Sequence, residues 1–505
     1  MDSNTVIGVG GSGSKCVESL LHVCASGLGP DRIGLALVDQ DLSNGNLTRT
    51  KQLLSLYRGL HAQLHTGSHG LRERTLLHTA FTTADTAEWS PLREKGATLN
   101  AHFNYKAMRD EAKMLFECLF ERRYEREQSL EEGFRGRAAL GATAMFSAAA
   151  SRGHFWDRLF SDMADIAEGE EMRVFLFASI FGGTGASGFP TIAKIIKEMA
   201  EQDAVKVRIG GALLLPYFEY PDPPASVERQ SVTLSREFKR RSRQALEYYH
   251  DLLTYQYPGL FDQIYLLGFD PLLEIGYFKE GGSLQRNKPL LPELLGALAA
   301  LNFFRLDRSA APQVLRAGRS SRNVSWDEIP RLDPHAKGHD VRQHLGKLIR
   351  FAIAFLVAYY PHLQRNSYAA FRDQSWFRRL ITDADVEIGS DDVQQLIAEL
   401  AKYCQELLTW AASLKPLPNS KDSSRTPEIC LFDFEHIAQR NLVSGVAFRL
   451  NELTSKQKQG FQQAILPGAH HGLDTVFEGL SRARSDSGGP GLGVFLQALF
   501  DECHL

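Results

Sequence analysis

Val6–Cys16 reads VIGVGGSGSKC, and how this stretch is read decides the fold. Gly8, Gly10 and Gly13 form G-x-G-x-x-G between two segments of different character. Thr5–Val9 before it is short, apolar and β-branched, and Ser14–Ala25 after it has helical periodicity. A second apolar run, Ile33–Val38, follows between Asp31 and Asp39. Strand, glycine loop, helix and strand in that order predict a βαβ unit on a parallel sheet. Glycines let a backbone turn tightly and approach an anion, and N–H groups at a helix N-terminus then point at it with a favourable dipole. Ser12 and Ser14 add hydroxyl donors, making the stretch a candidate phosphate site. The competing reading is a tight turn whose glycines serve packing alone. Lys15 comes after Ser14, so the Gly-Lys-Ser/Thr order of a Walker A loop is absent. Lys15 is expected to point away along the helix.

The pattern recurs at Phe181–Pro190, FGGTGASGFP. The buried-looking strand Arg173–Ala178 runs into Gly182, Gly183, Thr184, Gly185, Ala186, Ser187 and Gly188, and a helix is expected through about Met199. A dinucleotide fold does its pyrophosphate work with one such loop. Two loops on one sheet suit the phosphate tail of a nucleoside triphosphate, held from both sides. Further expected elements are strand Val207–Leu215, helix Glu237–Leu253, strand Asp262–Leu267 and helix Pro292–Asp307. The last has Pro in its first turn and apolar residues nearly all round, which predicts burial between layers. The fold class expected is α/β: a Rossmann-like parallel-sheet nucleotide-binding domain with a long central helix and a mainly helical C-terminal region. The divisions expected are residues 1–290, with a helical insertion at about 51–130, then 291–335, then 336–505.

The 505 residues carry 57 Lys plus Arg against 60 Asp plus Glu, a net charge of −3, with 43% hydrophobic and 23% charged residues. That composition excludes a disordered chain and gives no global pull toward nucleic acid or an anionic membrane. Six scattered cysteines without CxxC pairing fit reduced thiols better than a disulfide scaffold or a zinc site. No signal peptide is read at the N-terminus, and a cytoplasmic location is expected. The longest apolar run, Phe351–Tyr360, is too short for a bilayer span and reads as a buried helix. Helices are expected at Arg342–Tyr360, Asp391–Leu414 and Val494–Cys503, one short strand at Val443–Leu450, and polar loops at residues 415–427 and 485–493. The basic run Lys239–Arg241 with Arg243 reads as a solvated helix face, and His470-His471 as a loop pair rather than a metal site.

In their order, these motifs resemble the tubulin/FtsZ superfamily, in particular its divergent bacterial tubulin-like members. VIGVGGSGS is similar to the first phosphate loop of FtsZ, and FGGTGASGFP to the tubulin signature GGGTG[ST]G with its following proline. Val38-Asp39-Gln40-Asp41 is similar to the Val-Asn-Thr-Asp segment, and GALLLPYFEYP to the strand and turn after the signature. The resemblance covers roughly residues 4–307. It implies a GTP- or GDP-binding protein using Mg²⁺, which self-assembles head to tail into filaments and hydrolyses GTP slowly or between subunits. It implies phosphate contacts at Gly10, Gly11, Ser12 and Gly13 and at Gly183, Thr184 and Gly185. It places Asp41 near the phosphate–magnesium region, with Asp39 as the rival register. Gly136 and Arg137 would belong to a third loop, and Glu219 would contact the ribose, offset by one position. Asn287 would read guanine or, on the competing reading, cap the next helix. The sequence departs from the signature where Phe181 replaces its first glycine and Ala186-Ser187 its Ser/Thr-Gly pair.

In that family the hydrolytic acids come from the loop after the central helix of a neighbouring subunit. Here that loop lacks the FtsZ GxxNxDxxD pattern. Asp327 and Glu328 are the candidate substitutes, although SWDEIP also reads as a plain helix start. Partners expected are further copies of the chain, and a protein docking on the helical C-terminal region. Two other readings remain open: an NAD-dependent Rossmann oxidoreductase, with Asp39 on the ribose, and a non-hydrolysing, nucleotide-gated scaffold.

Overall fold

Strand β1 (Ser3–Val9) has a parallel neighbour on each side. Thr5–Val9 pair with Gly34–Val38 of β2 (Arg32–Val38), and Ser3–Gly8 with residues 172–177 of β5 (Met172–Ser179). Both faces of β1 are covered, which is why it reads as a continuous apolar run. The computed structural model describes residues 3–65, 76–82, 88–92, 98–131, 133–134, 137–150, 155–156, 159, 170–221, 235–276, 282–307, 310–317, 323–365, 367–416, 424, 426–435, 455–483 and 492–505.

The sheet runs in the order β10-β8-β6-β5-β1-β2-β3, with β4 also on β2, and among the described residues its strand pairs are all parallel. Its other members are β3 (Ala80–Thr82), β4 (Glu88–Trp89), β6 (Val207–Leu214), β8 (Gln263–Leu267) and β10 (Gln313–Ala317). A separate small pair joins β7 (Phe218–Glu219) to β9 (Leu273–Glu274). This is the expected α/β class. The chain after β1 steps one way to β2, and the chain after β5 steps the other way to β6. The switch point therefore lies between β1 and β5, where open parallel sheets bind ligands at the carboxyl ends of the strands.

Helices α1 (Gly10–Val23), α2 (Gly45–His65), α3 (Ala138–Ala150), α4 (Gly183–Gln202), α5 (Ser235–Asp251) and α6 (Leu291–Arg305) accompany the sheet. Neighbouring residues of β6 show the two covered faces. A side chain at Gly210 would strike Phe303 of α6, and one at Gly211 would strike Phe189 of α4. Helix α6 is buried along most of its length, as its all-round apolar surface predicts.

Three expectations are corrected. Helix α1 starts at Gly10 rather than Ser14, and α4 starts at Gly183, so each glycine stretch is itself a first helical turn. Residues 51–130 are not only helical, since β3 and β4 extend the sheet edge. Strands of two or three residues are too short to carry a period-2 signal. Asn287 does not cap α6, because the residue at the cap is Leu290, whose N–H donates to Glu293 at 3.0 Å. The expected strand Val443–Leu450 and most of the expected loop at 485–493 lie outside the described residues.

The C-terminal part is mainly helical, with α7 (Asp340–Ala354), α8 (Asp391–Ser413), α9 (Leu473–Arg482) and α10 (Leu492–Glu502). Strands β11 (Asn323–Val324) and β12 (Glu428–Ile429) form only a two-residue pair. Helix α8 lies on α1 and α2. Trp410 Nε1 donates to Ser19 Oγ at 3.0 Å, Gln63 donates to Glu399 at 3.1 Å, and the His22 and Trp410 rings lie 4.9 Å apart. The run Phe351–Tyr360 is helical and almost wholly buried. Among the described residues no helix is long and apolar enough to cross a membrane.

Candidate functional site

The carboxyl ends of β1 and β5 open directly into α1 and α4, so two helix N-termini meet at the switch point. Gly10 has φ +73°, a left-handed conformation open to glycine, and a Cβ there would lie 3.4 Å from Gly185 N and 3.5 Å from Thr184 Cβ. The two glycine stretches are thus in contact. Each helix start leaves backbone N–H groups without intrahelical partners, and the two dipoles add a local positive potential.

The expected site residues divide into two sets. Gly10, Gly11, Ser12, Gly182 and Gly183 are at the mouth, where Gly11, Ser12, Gly182 and Gly183 keep partial exposure. Gly8, Gly13, Gly185 and Gly188 serve close packing. A Cβ at Gly13 would sit 2.6 Å from Phe177 O, and one at Gly188 would sit 2.6 Å from Val9 Cγ1. Ser14 donates to Gly10 O, and Ser187 donates to Gly183 O and Thr184 O, so both hydroxyls are held by their own helices. Ser12 hydrogen-bonds Tyr217. Ala186 O accepts the Tyr249 hydroxyl. Phe181, the departure from the signature, is an aromatic anchor whose ring lies 4.8 Å from Phe238 and 5.5 Å from Phe218.

Asp39 and Asp41 differ in what surrounds them. Asp39 Oδ1 accepts from Thr184 Oγ1 and from Asp41 N, both at 3.3 Å, while its Oδ2 is buried without a partner. Burial, and then the neighbouring Asp41, push its carboxyl up to about 7. Asp41 has both oxygens occupied: Oδ1 accepts from Ser43 N and Oγ, and Oδ2 accepts from Gly282 N at 2.6 Å.

The segment at 282–287 closes over the start of α2. Asn44 Nδ2 donates to Gln285 Oε1 at 2.7 Å, and Arg49 donates to Asn287 O at 2.9 Å. A Cβ on Gly45 would lie 2.6 Å from Ser283 O, so this approach requires glycine. The Asn287 side chain bonds the Tyr220 hydroxyl, whose acidity burial suppresses, pushing it up to about 12. Glu219 is half-buried at the end of β7, one residue before Tyr220. Arg137 is occupied elsewhere, lying over the Tyr124 ring and 3.1 Å from Glu125. Gly133 of the same loop lies beside Thr184, and Gly136 is outside the described residues.

Sequence reading missed Asn44 and Asn46, which face Gly11. A Cβ there would be 3.4 Å from either amide nitrogen, and Asn46 Oδ1 is buried without a partner. The signal was present as the turn-forming Asn44-Gly45-Asn46 after the acidic loop. Lys15, expected to point away along the helix, turns instead into the interior. It pairs with buried Glu293 at 2.5 Å and donates to Tyr217 at 3.0 Å.

Asp327 and Glu328 are far from these loops. Helix α6 begins beside Lys15, and its far end bonds Arg173, at the amino end of β5. Asp327 interacts with Arg342 of α7, and the adjacent His344 bonds Ser26 O beyond the end of α1, also at that end. Glu328 Oε2 accepts from Ser325 N and Oγ, which is the helix-start reading, while Asp327 is exposed. Lys239, Arg240 and Arg243 are exposed on α5 as a solvated face. All six cysteines are free. Among the described residues no cluster of three His, Cys, Asp or Glu is placed to hold a metal by itself.

A family model described as tubulin like matches residues 5–275, more than half of the chain. No curated protein matches it.

Proposed function

The chain belongs to the tubulin-like family, and from that premise we propose that it binds a guanine nucleotide at the β1/β5 switch point and assembles head to tail. The observation that carries this reading is the contact between two glycine-started helices, beside a buried carboxylate oxygen that lacks a partner. The N–H groups at Gly10, Gly11 and Ser12, and at Gly183, Thr184 and Gly185, hold the phosphate oxygens. Tyr220 with Asn287 forms a nucleoside wall, and Glu219 is the ribose contact.

The residues fit a magnesium ion held mostly by phosphates. Mg²⁺ commonly takes one or two carboxylates and leaves the rest to phosphate and water. Asp39 offers the unpartnered oxygen and Asn46 a second, while Asp41 is spent on shaping the loop. When bound, the ion offsets phosphate charge. Asp39 would hold the ion, with Thr184 orienting Asp39, and the two helix starts would hold the phosphate tail.

The site lies at the carboxyl ends of the strands and the exposed Asp327 toward their amino ends, so stacking one end on the other is a heterologous contact, which generates an open filament where the rotation between copies does not close. Hydrolysis across such a junction draws its acid from the neighbouring copy, and Asp327, exposed and not engaged in the Ser325 cap that holds Glu328, is the candidate. The engagement of Glu328 in a helix cap favours a second reading, a scaffold that binds GTP and does not turn it over. Equilibrium titration with a fluorescent GTP analogue in Mg²⁺, followed by light scattering and phosphate release, tests the set. Binding with scattering is expected. A folded sample that binds no guanine nucleotide overturns the proposal, and scattering without phosphate release selects the scaffold.

A further inference from the structure

Arg350 of α7 is 0% exposed, which is rare for an arginine without a carboxylate beside it. Its Nη2 donates to His471 O at 2.7 Å, while Nε and Nη1 are buried without a partner. The guanidinium lies 4.2 Å from the centre of the Phe461 ring. Burial lowers its pKa to about 10, so it stays charged at neutral pH. The neighbouring Cys503 thiol is no counter-charge, because burial pushes it up to about 12. The acids of α7, α9 and α10 are turned elsewhere. Asp340 accepts from Leu332 N at 3.0 Å, Asp474 pairs with Lys458 at 2.9 Å, and Glu478 with Arg482 at 2.9 Å. Asp501 pairs with Lys347 at 2.7 Å, and the Glu502 carboxylate lies against Gly479.

A second feature adjoins this charge. His471 O is the carbonyl just before Gly472, the cap position of α9, and no side chain caps that helix. The first turn of a ten-residue helix leaves backbone N–H groups without intrahelical partners and carries the positive end of the dipole. The one acid in that turn, Asp474, is exposed and already bonded to Lys458. A buried cation and a positive helix end therefore meet one residue apart. A trapped water would satisfy N–H groups but leave the charge unpaired, which is strongly unfavourable in a protein interior. An anion answers both features, through charge-assisted bonds to the guanidinium and through the helix N-terminus.

We propose that a small oxyanion, of the size of inorganic phosphate, is bound between the Arg350 guanidinium and the first turn of α9. Its donors are the unused guanidinium N–H groups and the uncapped backbone N–H groups, and its charge is the opposite that Arg350 lacks. The unpartnered guanidinium nitrogens are buried, so entry lifts the segment at 466–471. That segment is held on α7 by Arg342, which donates to Leu466 O at 3.3 Å and to Pro467 O at 2.7 Å. The site is built from C-terminal elements and does not rest on the nucleotide reading.

Equilibrium dialysis of the full chain against radiolabelled phosphate tests it, with nucleotide removed and chloride holding the ionic strength. Wild-type chain is expected to take up one phosphate more than Arg350→Met, a change that keeps a long side chain on Phe461 and removes the charge. Phosphate bound at the β1/β5 crevice is common to both chains, so the difference stands whether or not the nucleotide reading does. Arg350→Lys keeps the charge but loses the planar fork, and is expected to bind that phosphate at least about tenfold more weakly. It is also the comparison to use if circular dichroism shows the methionine variant unfolded. In urea, phosphate is expected to raise the wild-type midpoint more than that of either variant, since general salt effects act on all three alike. Wild-type uptake and affinity matched by the variants, or no wild-type uptake in chloride, overturns the proposal.

Discussion

Asp39 and Asp41 follow the same strand two residues apart, and the sequence left their roles interchangeable. Their surroundings separate them, because Asp41 ties Gly282 and Ser43 while Asp39 keeps an oxygen free. Asp39→Asn is therefore expected to weaken magnesium-dependent GTP binding about tenfold or more, the worth of a charge-assisted contact, with little change in EDTA. Asp41→Asn is expected instead to lower stability by about 1–3 kcal/mol, by loosening the Gly282 segment. Isothermal titration and urea unfolding check the pair. His22 gives a pH prediction. Burial lowers its folded pKa to about 3, and its Nε2 is buried without a partner. The unfolded chain takes up a proton near pH 6.5 that the folded chain refuses, so stability is full above that pH and falls below it. The loss approaches about 1.4 kcal/mol per pH unit down to the folded pKa. His22→Gln should flatten that limb of a stability profile measured by urea unfolding between pH 4.5 and 7.

At the scale of elements, helix starts and strand ends were legible and their partners were not. The glycines marked where α1 and α4 begin, though not that the glycines are already helical. Lys15 and Glu293 are separated by most of the nucleotide-binding unit in sequence, so no local pattern joins them. In the fold they form a buried pair between the second turn of α1 and the first turn of α6, with Tyr217 bonded to both. Lys15→Met leaves the Glu293 charge buried and uncompensated, and should cost about 3–5 kcal/mol. Lys15→Met with Glu293→Gln should recover most of that loss. A double-mutant cycle in urea measures the coupling, and additive effects would show that the two helix starts are not joined through this pair.

At the scale of the molecule, the C-terminal helices are fastened to the nucleotide-binding unit. Trp410 packs on His22 and bonds Ser19, and Ser413 bonds Pro289 O just before the central helix. Trp410→Ala should cost about 3–5 kcal/mol, the usual range for emptying a large aromatic site. Wild-type chain should unfold in one transition by both tryptophan fluorescence and circular dichroism. Two separate wild-type transitions would show that this contact does not bind the parts into one cooperative unit. The sequence by itself determined the alternation of strands and helices, the two glycine-bearing helix starts and the buried central helix. All of these follow from local periodicity and from the backbone freedom of glycine. Only the tertiary structure decided that β1 and β5 are neighbours, which brings two helix starts 173 residues apart (10 to 183) to one crevice. It also selected Asp39 as the carboxylate with a free oxygen and set Asp327 toward the amino ends of the strands. Strand order, burial and hydrogen-bond partners depend on contacts between residues distant in the chain, and a one-dimensional pattern does not encode which distant residues those are.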